Sequence, residues 1–283
     1  MTIPMIQLAD GNVIPAVGYG TAGTKGNVGT QAITAAIHNG YRHIDTAYNY
    51  ENEGAVGQAI KRSGVAREKL FITSKLPGRY HEHDKAIEAI QESLYRADLD
   101  YFDLYLIHWP NPKRELYVEA WQALLDAQRF GLIRSVGVSN FLPEHLEKID
   151  QETGVLPVIN QIELHPLLSQ KEQRAFNAKH NILIEAWSPL GGTGSKNHQT
   201  ILKNPDLVTL AKKYHKNVGQ IILRWEYQLG VLPLPLSRNS ERQASNLAIF
   251  DFELSKEEVE QITAMDNSET SKNAANPDEH EEL

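Results

Sequence analysis

The chain has 283 residues, 28 Lys and Arg against 36 Asp and Glu, a formal charge of −8 and no cysteine. These figures exclude disulfides, thiolate catalysis and Cys-based metal centres. The acidic balance argues against non-specific nucleic-acid binding, while leaving room for a small basic site that holds one anionic ligand. No run approaches the ~20 apolar residues of a membrane span, and MTIPMIQLADGN lacks the basic and apolar regions of a secretory signal. The expectation is a cytoplasmic, monomeric protein with one domain over 1–283 and neither membrane nor nucleic-acid partners.

In chain order, IQLADGNVIPAVG (6–18) sets an Asp-Gly pair between two alternating runs, which predicts an N-terminal β-hairpin. The β-rich runs AVGYG, YRHID, LFITSK, FDLYLIH, RSVGVSN, VINQ, ILIEAW and VLPLP follow. Between them apolar residues recur at helical spacing, as in TQAITAAIHNG, DKAIEAIQESLYRADL and ELYVEAWQALLDAQRFG, the last with Gly131 as a C′ cap. Strands alternating with helices predict an α/β protein with a parallel sheet, closed as a (β/α)8 TIM barrel or left open and doubly wound. From Asp266 the segment NSETSKNAANPDEHEEL carries no helical stripe and reads as a polar, mobile or surface-bound tail.

Polar residues at the strand exits decide between barrel and open sheet. Asp45, Lys75, His108 and Ser139-Asn140 recur about one βα unit apart, and Gln161 and Trp187 end the next two runs. In a barrel all these exits converge on one face, whereas in an open sheet only those near the switch point meet. Six informative exits favour the barrel.

Three motifs invite other chemistry. GYGTAG matches a dinucleotide-binding G-x-G-x-x-G through Gly18, Gly20 and Gly23, but the helical pattern begins only at Thr30, too late to aim its N-terminus at a pyrophosphate. HEHD (His81 to Asp84) offers metal-like ligands without a further partner at ligand spacing, and reads instead as a loop with Asp84 capping a helix. GGTGSKN lacks the Gly-Lys-Ser/Thr sequence of a phosphate loop and reads as a flexible connection.

If the exits converge, Asp45, Lys75 and His108 share a cavity with Tyr50, which lies five residues past Asp45. A lone tyrosine or histidine is more often structural than catalytic, but the four together suit carbonyl reduction. A phenol holds its proton at neutral pH, and a neighbouring ammonium makes it easier to release. Lys75 would supply that charge, Asp45 would keep Lys75 protonated, and His108 would position the carbonyl oxygen. Nothing in the chain supplies hydride, so an external donor such as a reduced nicotinamide is required.

The motifs GYRHIDTAYNYENE, ITSK, LYLIHWPNP, IRSVGVSNF, QIELHP, WSPLGG and LSRNSERQASNL also occur in the order and spacing of a known family. The sequence resembles an aldo-keto reductase, within the bacterial diketogluconate reductase-like and prostaglandin F synthase-like branch. The resemblance implies a barrel with NADPH across its C-terminal face, Tyr50, Lys75, Asp45 and His108 as catalytic residues, and Tyr50 as the acid. It implies that Gly20, Thr21 and Asp45 bind the cofactor, that Ser139, Asn140 and Gln161 hold its carboxamide, and that Trp187 stacks on the nicotinamide ring. Ser188, Pro189, Leu190 and Gly191 would lie along the pyrophosphate, and Ser237, Arg238, Arg242 and Asn246 near the adenosine. The substrate, a small aldehyde or ketone, would meet Tyr50, His108 and Trp109.

Departures from the family pattern bear on cofactor and substrate. Leu236 stands where the family usually has a Lys for the 2′-phosphate, and Ser245 replaces a usual Glu. Arg238 and Arg242 keep NADPH favoured, with NADH use also open. Pro77 replaces a frequent Trp and the tail has no bulky aromatic, so the expectation is an open, weakly discriminating pocket. Two alternatives stand beside the reductase: a non-catalytic nucleotide-binding or structural protein on the same barrel, and a Schiff-base enzyme using Lys75.

Overall fold

The computed structural model describes residues 3–192, 194–267 and 276–282. An antiparallel hairpin of β1 (Met5–Gln7) and β2 (Val13–Pro15) opens the chain, turning at Gly11 with φ +88°. Eight parallel strands follow: β3 (Tyr19–Gly20), β4 (His43–Asp45), β5 (Phe71–Leu76), β6 (Phe102–Ile107), β7 (Ile133–Ser139), β8 (Ile159–Glu163), β9 (Leu183–Trp187) and β10 (Val231–Pro233). They pair in strict chain order. Gly18 N donates to Pro233 O at 3.0 Å and Gly20 N to Pro235 O at 3.2 Å, which joins the first strand to the last and closes a (β/α)8 barrel.

Helices α1 (Gly26–Asn39), α2 (Glu53–Ser63), α3 (His83–Ala97), α4 (Tyr117–Arg129), α5 (Pro143–Thr153) and α6 (Lys171–Lys179) return the chain between strands. Three helices, α7 (Lys196–Leu202), α8 (Pro205–Tyr214) and α9 (Val218–Gln228), fill the unit before β10, and α10 (Ser240–Leu247) and α11 (Lys256–Thr263) follow it.

Strand β6 shows how the sequence builds two layers. Tyr105 and Ile107 point outward into the cluster shared with the helices, while Leu104 and Leu106 join Leu8 and Ile14 of the hairpin in an inner cluster. Period-two alternation in a strand covered on both faces explains why the run is apolar apart from Asp103, whose carboxylate accepts from Ile72 N. Asn12 and Asp10 of the hairpin turn bond Ser135 at the start of β7. The hairpin therefore stoppers the N-terminal mouth and leaves the opposite one for chemistry.

Several local expectations need correction. The first helix starts at Gly26, four residues before the apolar stripe, because its opening turn is solvent-facing, with Val28 65% exposed. Gly29 inside it is required by packing, since a Cβ there would meet the Thr24 carbonyl at 2.5 Å. Asp84 is not the cap of α3: Glu82 holds that position, and Glu119 satisfies the His83 N–H at 2.8 Å, which lets the helix begin earlier. Gly131 does follow α4 in the left-handed region, with φ +79°.

The polar tail is described in part. Residues 268–275 lie outside the described part, but 276–282 pack over the C-terminal mouth of the barrel. A polar segment can dock without any apolar stripe when its carboxylates and carbonyls find fixed donors, as they do here.

Candidate active site

Asp45 ends β4 and Lys75 sits one place before the end of β5, so adjacent strands put a carboxylate and an ammonium side by side. Lys75 Nζ donates to Asp45 Oδ1 at 2.7 Å and to Thr46 O at 2.8 Å, and its side chain is fully buried. A single 3-10 turn (Tyr48–Tyr50), ended by Glu51 in a left-handed conformation, swings Tyr50 over this pair. Lys75 Nζ lies 5.0 Å from the centre of the Tyr50 ring, and the His108 ring stands 5.7 Å from it at 76°.

Electrostatics refine the sequence reading. Burial alone would depress the Lys75 pKa, but Asp45, Tyr50 and Glu185 more than offset it, and the net shift is upward. Tyr50 also moves upward. Desolvation outweighs the lowering by Lys75, with Asp45 adding to the rise. The expected depression of the phenol is present as a contribution and loses to burial, so the hydroxyl keeps its proton firmly at neutral pH.

Asn52, passed over in the sequence, fixes the turn that carries Tyr50. Its amide donates to Thr21 O at 2.8 Å and Thr24 O at 3.1 Å, and its oxygen accepts from Thr46 at 2.5 Å. Glu185 was missed as well, although a charge inside the apolar run ILIEAW was a signal. Gln161 Nε2 bridges Asp45 Oδ2 at 2.9 Å and Glu185 Oε2 at 2.8 Å. Burial, then the Asp45 charge, push the Glu185 carboxyl up to about 8, so it is protonated at neutral pH. Beneath it His43 is lowered to about 4 by burial and is neutral.

Ser139, Asn140 and Trp187 form one connected patch beside these groups. Ser139 Oγ donates to Gln161 O at 2.8 Å, Asn140 Nδ2 to His108 O at 3.0 Å, and Trp187 Nε1 to Asn140 Oδ1 at 3.0 Å. Gln161 keeps its amide oxygen as the acceptor not used within the described residues. Gly20 and Thr21 lie at the barrel closure, where Thr21 is buried and accepts from Asn52. Beyond Trp187, Ser188 (φ +51°) and Gly191 (φ +82°) form a tight turn with Pro189 and Leu190 between them. His198 bonds Leu190 O at 2.7 Å and Ser195 caps α7, so GGTGSKN leads directly into a helix.

Farther along the mouth, Ser237, Arg238, Arg242 and Asn246 gather at α10. Asn239 caps the helix by accepting from Arg242 N at 2.8 Å, Arg242 Nε donates to Ser237 Oγ at 3.2 Å, and Asn246 is buried. Arg238 donates to Gly23 O, tying this turn to the loop after β3. Both guanidiniums are exposed and neither pairs with a carboxylate among the described residues. At the N-terminus of a helix, two cations free of carboxylates suit a phosphate.

Past His108, Trp109 meets the His280 ring at 4.3 Å, and Glu282 Oε1 lies 2.8 Å from His108 Nδ1. The open pocket expected here is bounded on one side by the tail. No cluster of side chains among the described residues could hold a metal ion, HEHD included. Of that motif, His83 Nε2 lies 3.0 Å from Asp126 instead.

The barrel mouth therefore defines a class of site in which a phenol, a buried ammonium–carboxylate pair and an imidazole face one small space. A family model described as the Aldo/keto reductase family matches residues 16–267, and the chain belongs to that family. It is 42% identical over 281 residues to 2,5-diketo-D-gluconic acid reductase B of Corynebacterium sp., covering 99% of each chain. It is 46% identical over 264 residues to methylglyoxal reductase DkgA of Salmonella typhimurium, covering 93% of each. Among solved structures it resembles the Bombyx mori aldo-keto reductase AKR2E4 in complex with NADP, with a TM-score of 0.91 at 39% identity, over 100% of this chain and 99% of that one.

Proposed function

We propose that this protein is an NADPH-dependent carbonyl reductase acting on small aldehydes or ketones, with Tyr50 as the proton donor. The observation that carries this reading is the burial of the Lys75 ammonium between Asp45 and the face of Tyr50. Relatives named for a diketo acid and for methylglyoxal, and a structural relative titled as an NADP complex, support the substrate class and the cofactor.

The residues at hand fit the cofactor. Arg238 and Arg242 would hold the adenosine phosphate, the Ser188–Gly191 turn would follow the pyrophosphate, and Asn140 with the Gln161 oxygen would orient the carboxamide beside Trp187. When bound, the reduced nicotinamide supplies the hydride. His108 positions the carbonyl oxygen, Tyr50 Oη delivers a proton as charge develops on that oxygen, and Lys75 stabilises the phenolate left behind. Asp45 keeps Lys75 charged, which also makes it a poor Schiff-base amine.

The test follows NADPH and NADH oxidation against a panel of small carbonyls, in the native protein and in Tyr50→Phe. The variant should bind NADPH normally yet lose about 10²–10⁴-fold in kcat. Turnover that survives the loss of the hydroxyl would overturn the role of Tyr50. Absence of any turnover in the native protein would favour a binding or structural role.

A further inference from the structure

Glu282 is the part of the docked tail that reaches deepest. Its side chain is only 12% exposed, and its Oε1 stands 2.8 Å from His108 Nδ1 and accepts from Asn49 Nδ2 at 2.8 Å. Gly78 N reaches Oε2 at 3.3 Å, and Asn111 Nδ2 donates to the Glu282 carbonyl at 2.6 Å. The tail backbone comes so close that a Cβ on Gly78 would lie 2.4 Å from that carbonyl. The negative charge of Glu282 is also among the groups that make Tyr50 harder to ionise.

We propose that Glu282 is a specificity-determining residue that turns away carbonyl substrates bearing a carboxylate and leaves neutral ones favoured. The inference rests on the carbonyl-reductase reading of this site. An incoming anion would look to the His108 imidazole for a partner, and that ring already has a carboxylate beside it. A second carboxylate in the same enclosed space would sit a few ångströms from Glu282, where like charges repel strongly. A neutral aldehyde meets His108 and Tyr50 through its oxygen alone and suffers no such repulsion. Of the two chemistries named among the relatives, the pocket suits methylglyoxal rather than a sugar acid.

The experiment compares para-carboxybenzaldehyde with para-nitrobenzaldehyde, similar in size and differing in charge, using NADPH and the full chain. Glu282→Gln should raise the carboxylate-to-neutral ratio of kcat/KM by about tenfold. In the native protein that ratio should rise with ionic strength. Gly78→Ala, which crowds the Asn111 amide and the tail carbonyl it holds while keeping the Glu282 charge, should move the ratio the same way. Equal gains on both aldehydes would show a plug rather than a charge filter, and an unchanged ratio would show no role; either overturns the inference. A native protein that reduces neither aldehyde overturns the reductase reading itself, while one that reduces the neutral aldehyde with a ratio indifferent to Glu282→Gln overturns only this proposal.

Discussion

Lys75 holds an ammonium wholly out of water, an arrangement tolerable only because Asp45 and the Thr46 carbonyl replace its hydration. Replacing it with Met fills the volume but strands Asp45 as a buried carboxylate whose remaining described partner is Gln161. Lys75→Met should therefore lower stability by about 3–5 kcal/mol, read from urea unfolding. The same variant should cut kcat by at least about 10²-fold. At this scale the sequence was informative because Asp45, Lys75 and His108 each interrupt or end an apolar run, with Tyr50 placed by its distance from Asp45. Glu185 also interrupts an apolar run, but its meaning depends on facing Gln161, which bridges it to Asp45, and strand order alone does not reveal that.

Among the elements, α10 shows how a short helix can be held with its N-terminus and two cations facing outward. Tyr19 Oη and Gln243 Nε2 both donate to Ser237 O, at 2.7 and 2.9 Å, which fastens the turn before α10 to the barrel. The Asn239 cap then leaves the helix N-terminus and Arg242 facing outward. If Arg242 reads the 2′-phosphate, Arg242→Ala should raise the Kd for NADPH about tenfold and leave that for NADH within about twofold. Fluorescence titration with both cofactors checks this, and equal losses would assign Arg242 to the shared part of the cofactor. Element type and order were legible from periodicity, whereas boundaries were not. The start of α1 lies in a solvent-facing turn without an apolar stripe, and the cap of α3 depends on Glu119 meeting His83, neither of which periodicity encodes.

For the molecule as a whole, two buried neighbouring groups, His43 and Glu185, shape the response to pH. Glu185 titrates at about 8 in the fold against an ordinary 4.5, so the native state keeps a proton that the unfolded chain has lost. Stability from this group is full at low pH and falls as pH rises through that window, by a few kcal/mol in order of magnitude. His43, at about 4 against 6.5, acts in the other direction, and stability falls as pH drops below 6.5 because the unfolded chain takes up the proton. The two slopes cancel between about pH 4.5 and 6.5, so the profile should be level there and fall above it, whereas Glu185→Gln should level the alkaline side and leave stability falling as pH drops below 6.5, as measured by urea unfolding across pH. The barrel was legible from six polar strand exits because parallel strands in register bring all such ends to one mouth. The docking of 276–282 was not, because it rests on individual carboxylates and carbonyls meeting distant donors, with no period along the chain.

The closure between β3 and β10 is donated from one side only. Gly18 and Gly20 supply both N–H groups, while Pro233 and Pro235 have none to return, and Leu234 N is already engaged by Ala186 O. A chain emerging from the ribosome cannot seal this ring until almost all of it has been made. Through most of its synthesis the nascent sheet carries two open edges, each a template for a stray strand.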